Sequence, residues 1–183
     1  MWVLAINAAM FVLEFTAGWL AESTGLIADS LDMLADALVY GVGLYAVGKA
    51  LRHKARAAML SGVLEFSLAI AVLADVGRRY IVGSEPEGLW MMGVAAVALL
   101  ANVTALLLLA AHRQGGIHMR AMWICTNNDV LVNVAVIASG GLVLWLRSPV
   151  PDLVVGVLVS LLVLHNSLRI LREARAALTT QSV

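Results

Sequence analysis

Long apolar runs separated by short polar breaks organise this chain. Six runs stand out, near 2–20, 26–48, 58–80, 89–111, 119–146 and 152–172. As a helix, each can cross a hydrocarbon core of about 30 Å, which takes roughly 20 residues. None alternates with period two, so a transmembrane barrel is excluded. The breaks carry the residues that stop helices: Pro86, Pro149 and Pro151 all fall there, where a missing N–H does little harm. Trp2, Trp19, Trp90, Trp123 and Trp145 lie near run ends, the depth at which an interfacial aromatic belt forms. The expected fold class is all-α, a polytopic membrane protein of six transmembrane helices. One six-helix domain over 1–175 is expected, followed by a short cytoplasmic tail over 176–183.

Composition agrees and narrows the function. Hydrophobic residues make up 62% of the chain and charged residues 13%, against about 25% charged in a soluble domain. The 183 residues leave no room for a separate soluble domain. Net charge is zero, so no nucleic-acid partner is indicated. No Lys or Arg precedes Lys49, so the first run lacks the basic start of a cleavable signal and reads as a span. The single cysteine, Cys125, cannot form an intrachain disulfide.

The basic residues set an orientation. Lys49, Arg52, Lys54 and Arg56 follow the second run, Arg113 and Arg120 flank the loop after the fourth, and Arg169, Arg172 and Arg175 follow the sixth. The opposite side holds Arg78, Arg79 and Arg147. The positive-inside rule then places both termini in the cytoplasm, and the cell (inner) membrane is the expected location.

The apolar runs also contain acids. Glu14 lies in the first, Asp29, Asp32 and Asp36 in the second, Glu65 in the third and Asp129 in the fifth. A charge at the bilayer centre costs about 2.5–3.5 kcal/mol on insertion scales, and no Lys or Arg lies deep enough to offset it. Such acids need protons or a cation. Counting from the outer start of the second span, Asp32 is about 9 Å deep and Asp36 about 15 Å; Asp129 is about 15 Å from the inner start of the fifth. Asp32 and Asp36, spaced i, i+4, share a helix face. Cys125, Asp129 and Asn133 form a matching stripe, with Asn128 beside it.

Facing stripes of this kind offer carboxylate oxygens, a thiolate and an amide oxygen. Four such donors suit tetrahedral zinc, and oxygen-rich sets also suit manganese or iron. The same carboxyls take up protons when metal leaves, because buried like charges oppose each other's ionisation. Asp32, Asp36, Asp129, Asn128 and Cys125 are the candidate metal-site residues, with Cys125 and Asn128 competing for one position.

Other polar residues have plainer roles. Glu14 and Glu65 read equally as protonated packing groups, and Asp29 as a relay or a cap. Asp75 and Glu22 are expected to be solvated at the outer boundary, and Asn102, Asn133 and His165 to bond between helices. His53, His112 and His118 fall in cytoplasmic loops. No His-Glu-x-x-His motif or nucleophile–base pair points to an enzyme. A proton-linked carrier of another solute and a nontransporting membrane partner stay open.

At these acids the sequence resembles the cation diffusion facilitator family of divalent-metal/proton antiporters. The matching residues are Asp32-Met-Leu-Ala-Asp36 with Ala28-Asp29-Ser30 before it, and Asn7, Gly18 and Ser23 upstream. In the fifth span they are Cys125-Thr-Asn-Asn-Asp129 and then Asn133; Asp152 opens the sixth. The resemblance covers essentially the whole chain. It implies a six-helix transporter, usually a homodimer, that exports zinc, with cadmium, cobalt, manganese or iron as other cargo, in exchange for protons. It places Asp32, Asp36, Cys125 and Asp129 in the four transport positions. Cys125 stands where the family has His, and a short form without the family's cytoplasmic C-terminal domain is expected.

Overall fold

A computed structural model describes the backbone of residues 2–45, 51–110 and 117–179, and the side chains of 4–42, 45, 53–107 and 126–179. Six helices account for nearly all of it: α1 (Trp2–Leu20), α2 (Thr24–Tyr45), α3 (Leu51–Val82), α4 (Gly88–Ala110), α5 (Ile117–Leu146) and α6 (Val150–Thr179). No strand occurs among the described residues, so the all-α expectation holds.

The largest departures from the apolar runs are at the basic ends. α3 begins at Leu51 rather than near 58, and α6 runs to Thr179 rather than stopping near 172. Hydropathy marks only the part of a helix that lies in hydrocarbon. The backbone continues for further turns where Lys54 and Arg56, or Arg172 and Arg175, face water beside the buried Ala55 and Ala174. The expected tail from 176 therefore starts as helix.

The polarity of the molecule is inverted relative to a water-soluble domain. Leu20, Leu60, Ile81, Leu100 and Leu158 are exposed, while Asn7, Glu14, Asp29, Asp32, Asp129 and Asn133 are buried. An apolar exterior around a polar interior is stable only in lipid. Segments within α3, α4, α5 and α6 are long and apolar enough to span a membrane, and α1 adds a shorter apolar stretch over Leu4–Leu20. α2 is 22 residues long, and its burial on nearly every face lets it carry three aspartates.

The helices pack as neighbouring pairs, α1 with α2, α3 with α6 and α4 with α5, and α2 also touches α3, α5 and α6. Small residues permit the closest approach. A Cβ on Gly140 of α5 would sit 2.8 Å from the Gly88 carbonyl oxygen of α4, the tight backbone contact that small residues allow in membranes.

The α1–α2 connection fixes the height of α2. Glu22 adopts a left-handed φ of 51°, and the Ser23 N–H donates to the Gly18 carbonyl at 2.9 Å, a Schellman ending for α1. Ser23 then caps α2, its Oγ accepting the Leu26 N–H at 3.1 Å. Asp152 of α6 completes this cap. Its carboxylate accepts the Thr24 N–H at 2.7 Å, the Gly25 N–H at 2.9 Å, Ser23 Oγ at 2.6 Å and Thr24 Oγ1 at 2.8 Å. One buried carboxylate thereby meets the positive end of the α2 dipole.

Arg79 of α3 grips the same turn. It pairs with Asp75 at 2.6 Å and donates to the Glu22 carbonyl. Asp75 also pairs with Arg78 at 2.7 Å, so it is an ion-paired anchor and not simply a solvated acid.

Candidate metal centre

α2 is held by its N-terminal end, which fixes the height of its acidic face in the bundle. Asp29, Asp32 and Asp36 are all buried, as are Glu14 on α1, Glu65 on α3 and Asp129 on α5. Four helices thus send carboxyl groups into one interior region. α2, which carries Asp29, Asp32 and Asp36, packs against α1, α3 and α5, which carry Glu14, Glu65 and Asp129. α2 and α5, which carry the two expected stripes, pack against each other.

Few donors are present to offset this charge. Both carboxylate oxygens of Glu14, Asp29 and Glu65, and Oδ2 of Asp129, are buried without a hydrogen-bond partner. Among the described residues, neither Lys nor Arg forms an ion pair with any of these four acids; the ion pairs are those of Asp75 and an exposed Arg169–Glu173 pair. Ionised carboxylates are acceptors only, so these groups cannot satisfy one another. A shared proton or a cation is the chemistry that satisfies them. Asp29 is therefore not the cap of α2, a role taken by Ser23 and Asp152.

Asp36 is oriented more fully. Tyr40 Oη donates to its Oδ2 at 3.0 Å, and Asn7 Nδ2 lies 3.5 Å from the same oxygen. Sequence reading does not assign Tyr40, although its i, i+4 spacing to Asp36 is plain. Asn102 bonds between helices as expected, from Nδ2 to the Met33 sulfur at 3.9 Å. Asn133 does not: its Nδ2 donates to the Asp129 carbonyl of its own helix at 2.7 Å, which leaves its Oδ1 buried and unpartnered beside the site. His165 is exposed on α6 and not buried between helices.

Of the two competing donors, Asn128 is half-buried on α5, one residue from the buried Asp129. The Cys125 side chain lies outside the described residues, as do those of Arg52, His112, Arg113, His118, Arg120 and Trp123, and so does Lys49. Among the described residues, no three His, Cys, Asp or Glu side chains converge tightly enough to hold a metal ion in this arrangement. Asp32, Asp36 and Asp129 are buried on the packed helices α2 and α5 without closing a coordination sphere.

A crevice of about 300 Å³ opens between α2, α3 and α6 at their basic end. Val39, Ala58 and Ser61 line its wall, with Lys54 and Glu173 nearer the basic end. Val39 and Ser61 lie one helical turn from Asp36 and Glu65 respectively, and neither acid itself lines the crevice.

Similar sequence occurs within longer chains. Over 187 residues the chain is 26% identical to the zinc transporter ZitB of Escherichia coli (strain K12), covering 95% of this chain and 60% of that protein. It is 24% identical to the metal cation efflux system protein CzcD of Cupriavidus metallidurans over 183 residues, 93% of this chain and 58% of that one. A third relative, the vacuolar zinc transporter ZRC1 of Saccharomyces cerevisiae, is 29% identical over 132 residues, 63% of this chain. The chain spans about 60% of the length of the bacterial relatives it matches. Since the cation efflux transmembrane domain matches residues 1–179, the chain belongs to the cation efflux, or cation diffusion facilitator, family.

Proposed function

We propose that this protein exports a divalent metal cation, zinc first and cadmium or cobalt next, in exchange for protons. Asp32, Asp36 and Asp129 are the principal ligands, and Asn128 or Cys125 completes the set. The observation that carries the reading is the group of buried, donor-poor carboxyls around α2 and α5. A site of this composition is stable with a cation or with protons, and alternation between the two is the exchange. The names of the relatives, zinc and cation efflux transporters, support the cargo class. With the basic helix ends cytoplasmic in the inner membrane, metal enters through the crevice beside α2. Opening the outer end then admits the protons that displace it. A homodimer is part of the same reading.

The test is zinc uptake into proteoliposomes across an imposed pH gradient, comparing the wild-type chain with Asp129→Asn. Wild-type flux that depends on the gradient, with flux in the variant reduced to background, is expected. Equal flux in both removes Asp129 from the site. Metal-independent flux of an organic solute supports the rival carrier instead.

A further inference from the structure

α3 lies outside the two-helix site described above, yet it contributes a carboxyl to the same interior. Glu65 is 2% exposed, and neither of its oxygens has a hydrogen-bond partner. α3, which carries Glu65, packs against α2, which carries Asp32 and Asp36. A glutamate kept only for packing is expected to satisfy its polar atoms, because an unpartnered buried polar group is costly. Glu65 stays buried and unsatisfied on a helix packed against the one that carries two proposed ligands.

The crevice gives this position a purpose. Ser61, one turn before Glu65 on α3, lines the crevice opposite Val39, which lies one turn past Asp36 on α2. Asp36 and Glu65 thus each lie one turn from a residue of the crevice wall, on two helices that pack together. Lys54, nearer the basic end, is too far along α3 to neutralise Glu65: eleven residues separate them, about 16 Å of helix.

We propose that Glu65 is a ligand of the transported cation, so that the site takes carboxylate oxygens from three helices, α2, α3 and α5. The inference rests on the metal-transport reading and extends it. With Glu65 added to Asp32, Asp36 and Asp129, the set becomes four carboxylates, Glu65 competing with Asn128 or Cys125 for the fourth position. These acids must draw together around the ion from the open arrangement described above. One divalent ion on these four carboxyls is electrically neutral when two of them keep their protons. Oxygen donors favour cobalt, manganese or zinc over the softer cadmium, so Glu65 is also a determinant of which metal is carried.

Cobalt(II) tests this directly, because its visible absorption reports the number and kind of ligands. The purified full chain in detergent is titrated with Co²⁺, alongside Glu65→Gln and Glu65→Asp. The wild type is expected to bind one Co²⁺ at the site. Glu65→Gln is expected to lower affinity at least about tenfold and to change the d–d spectrum. Glu65→Asp, which keeps a shorter carboxylate, is expected to recover part of the affinity with an altered spectrum. If Glu65→Gln does not fold, the Glu65→Asp spectrum decides: an altered spectrum supports ligation and an unchanged one overturns it. Wild-type affinity and spectrum in Glu65→Gln overturn the inference while leaving the transport site intact. No Co²⁺ binding by the wild type overturns the transport-site reading and this inference together.

Discussion

Tyr40 and Asn7, from α2 and α1, converge on a single oxygen of Asp36. Outer partners of this kind orient a ligand, and their loss typically costs 10–100-fold in metal affinity. Tyr40→Phe removes the donor and keeps the ring, so zinc affinity is expected to fall about tenfold while helical content is retained. Calorimetry on the purified chain reads both the affinity and the unchanged stoichiometry. At this scale the sequence is informative about which residues are acidic and how they are spaced. Asp32 and Asp36 mark one helix face through their i, i+4 spacing alone. The sequence is silent on how each acid is partnered, because that depends on contacts between helices. Asn133 has the residue type to bond across helices, but its amide reaches the nearest carbonyl on its own helix instead.

At the scale of elements, the position of α2 depends on its outer end. Asp152 accepts two N–H groups and two hydroxyls there, and hydrocarbon around the bundle offers no substitute acceptor. Asp152→Ala leaves the Thr24 and Gly25 N–H groups buried and unpaired, at about 1–3 kcal/mol each. A loss on the order of 2–4 kcal/mol is expected in unfolding from mixed micelles, with Asp152→Asn intermediate because one acceptor oxygen remains. Asp152 is visible in the sequence as an acid opening a span, but its partner 128 residues earlier is not. Helix count and order are legible because lipid imposes a single rule on every span. Helix ends are less so: α3 and α6 continue into water, where hydropathy no longer marks them, and residues such as Arg169 and Glu173 pair along an exposed face.

The whole molecule joins two conditions that oppose each other. Its exterior must be apolar to remain in lipid, and its interior must hold carboxyls that neither lipid nor buried basic residues can stabilise. Arg79 and Asp152 tie the α1–α2 turn to α3 and α6 at one end, while the crevice between α2, α3 and α6 opens at the other. Under the proposed function, the tied end faces outward and the crevice end is where cargo enters. In this account protons and metal compete for the same oxygens, so binding one must release the other. The most direct test is the number of protons released per zinc bound, from calorimetric titrations at one pH in buffers of different ionisation enthalpy. The account predicts about two protons per zinc ion, falling in Asp129→Asn along with affinity. Zinc that binds without releasing protons, or with the same affinity and proton count in Asp129→Asn, would contradict it.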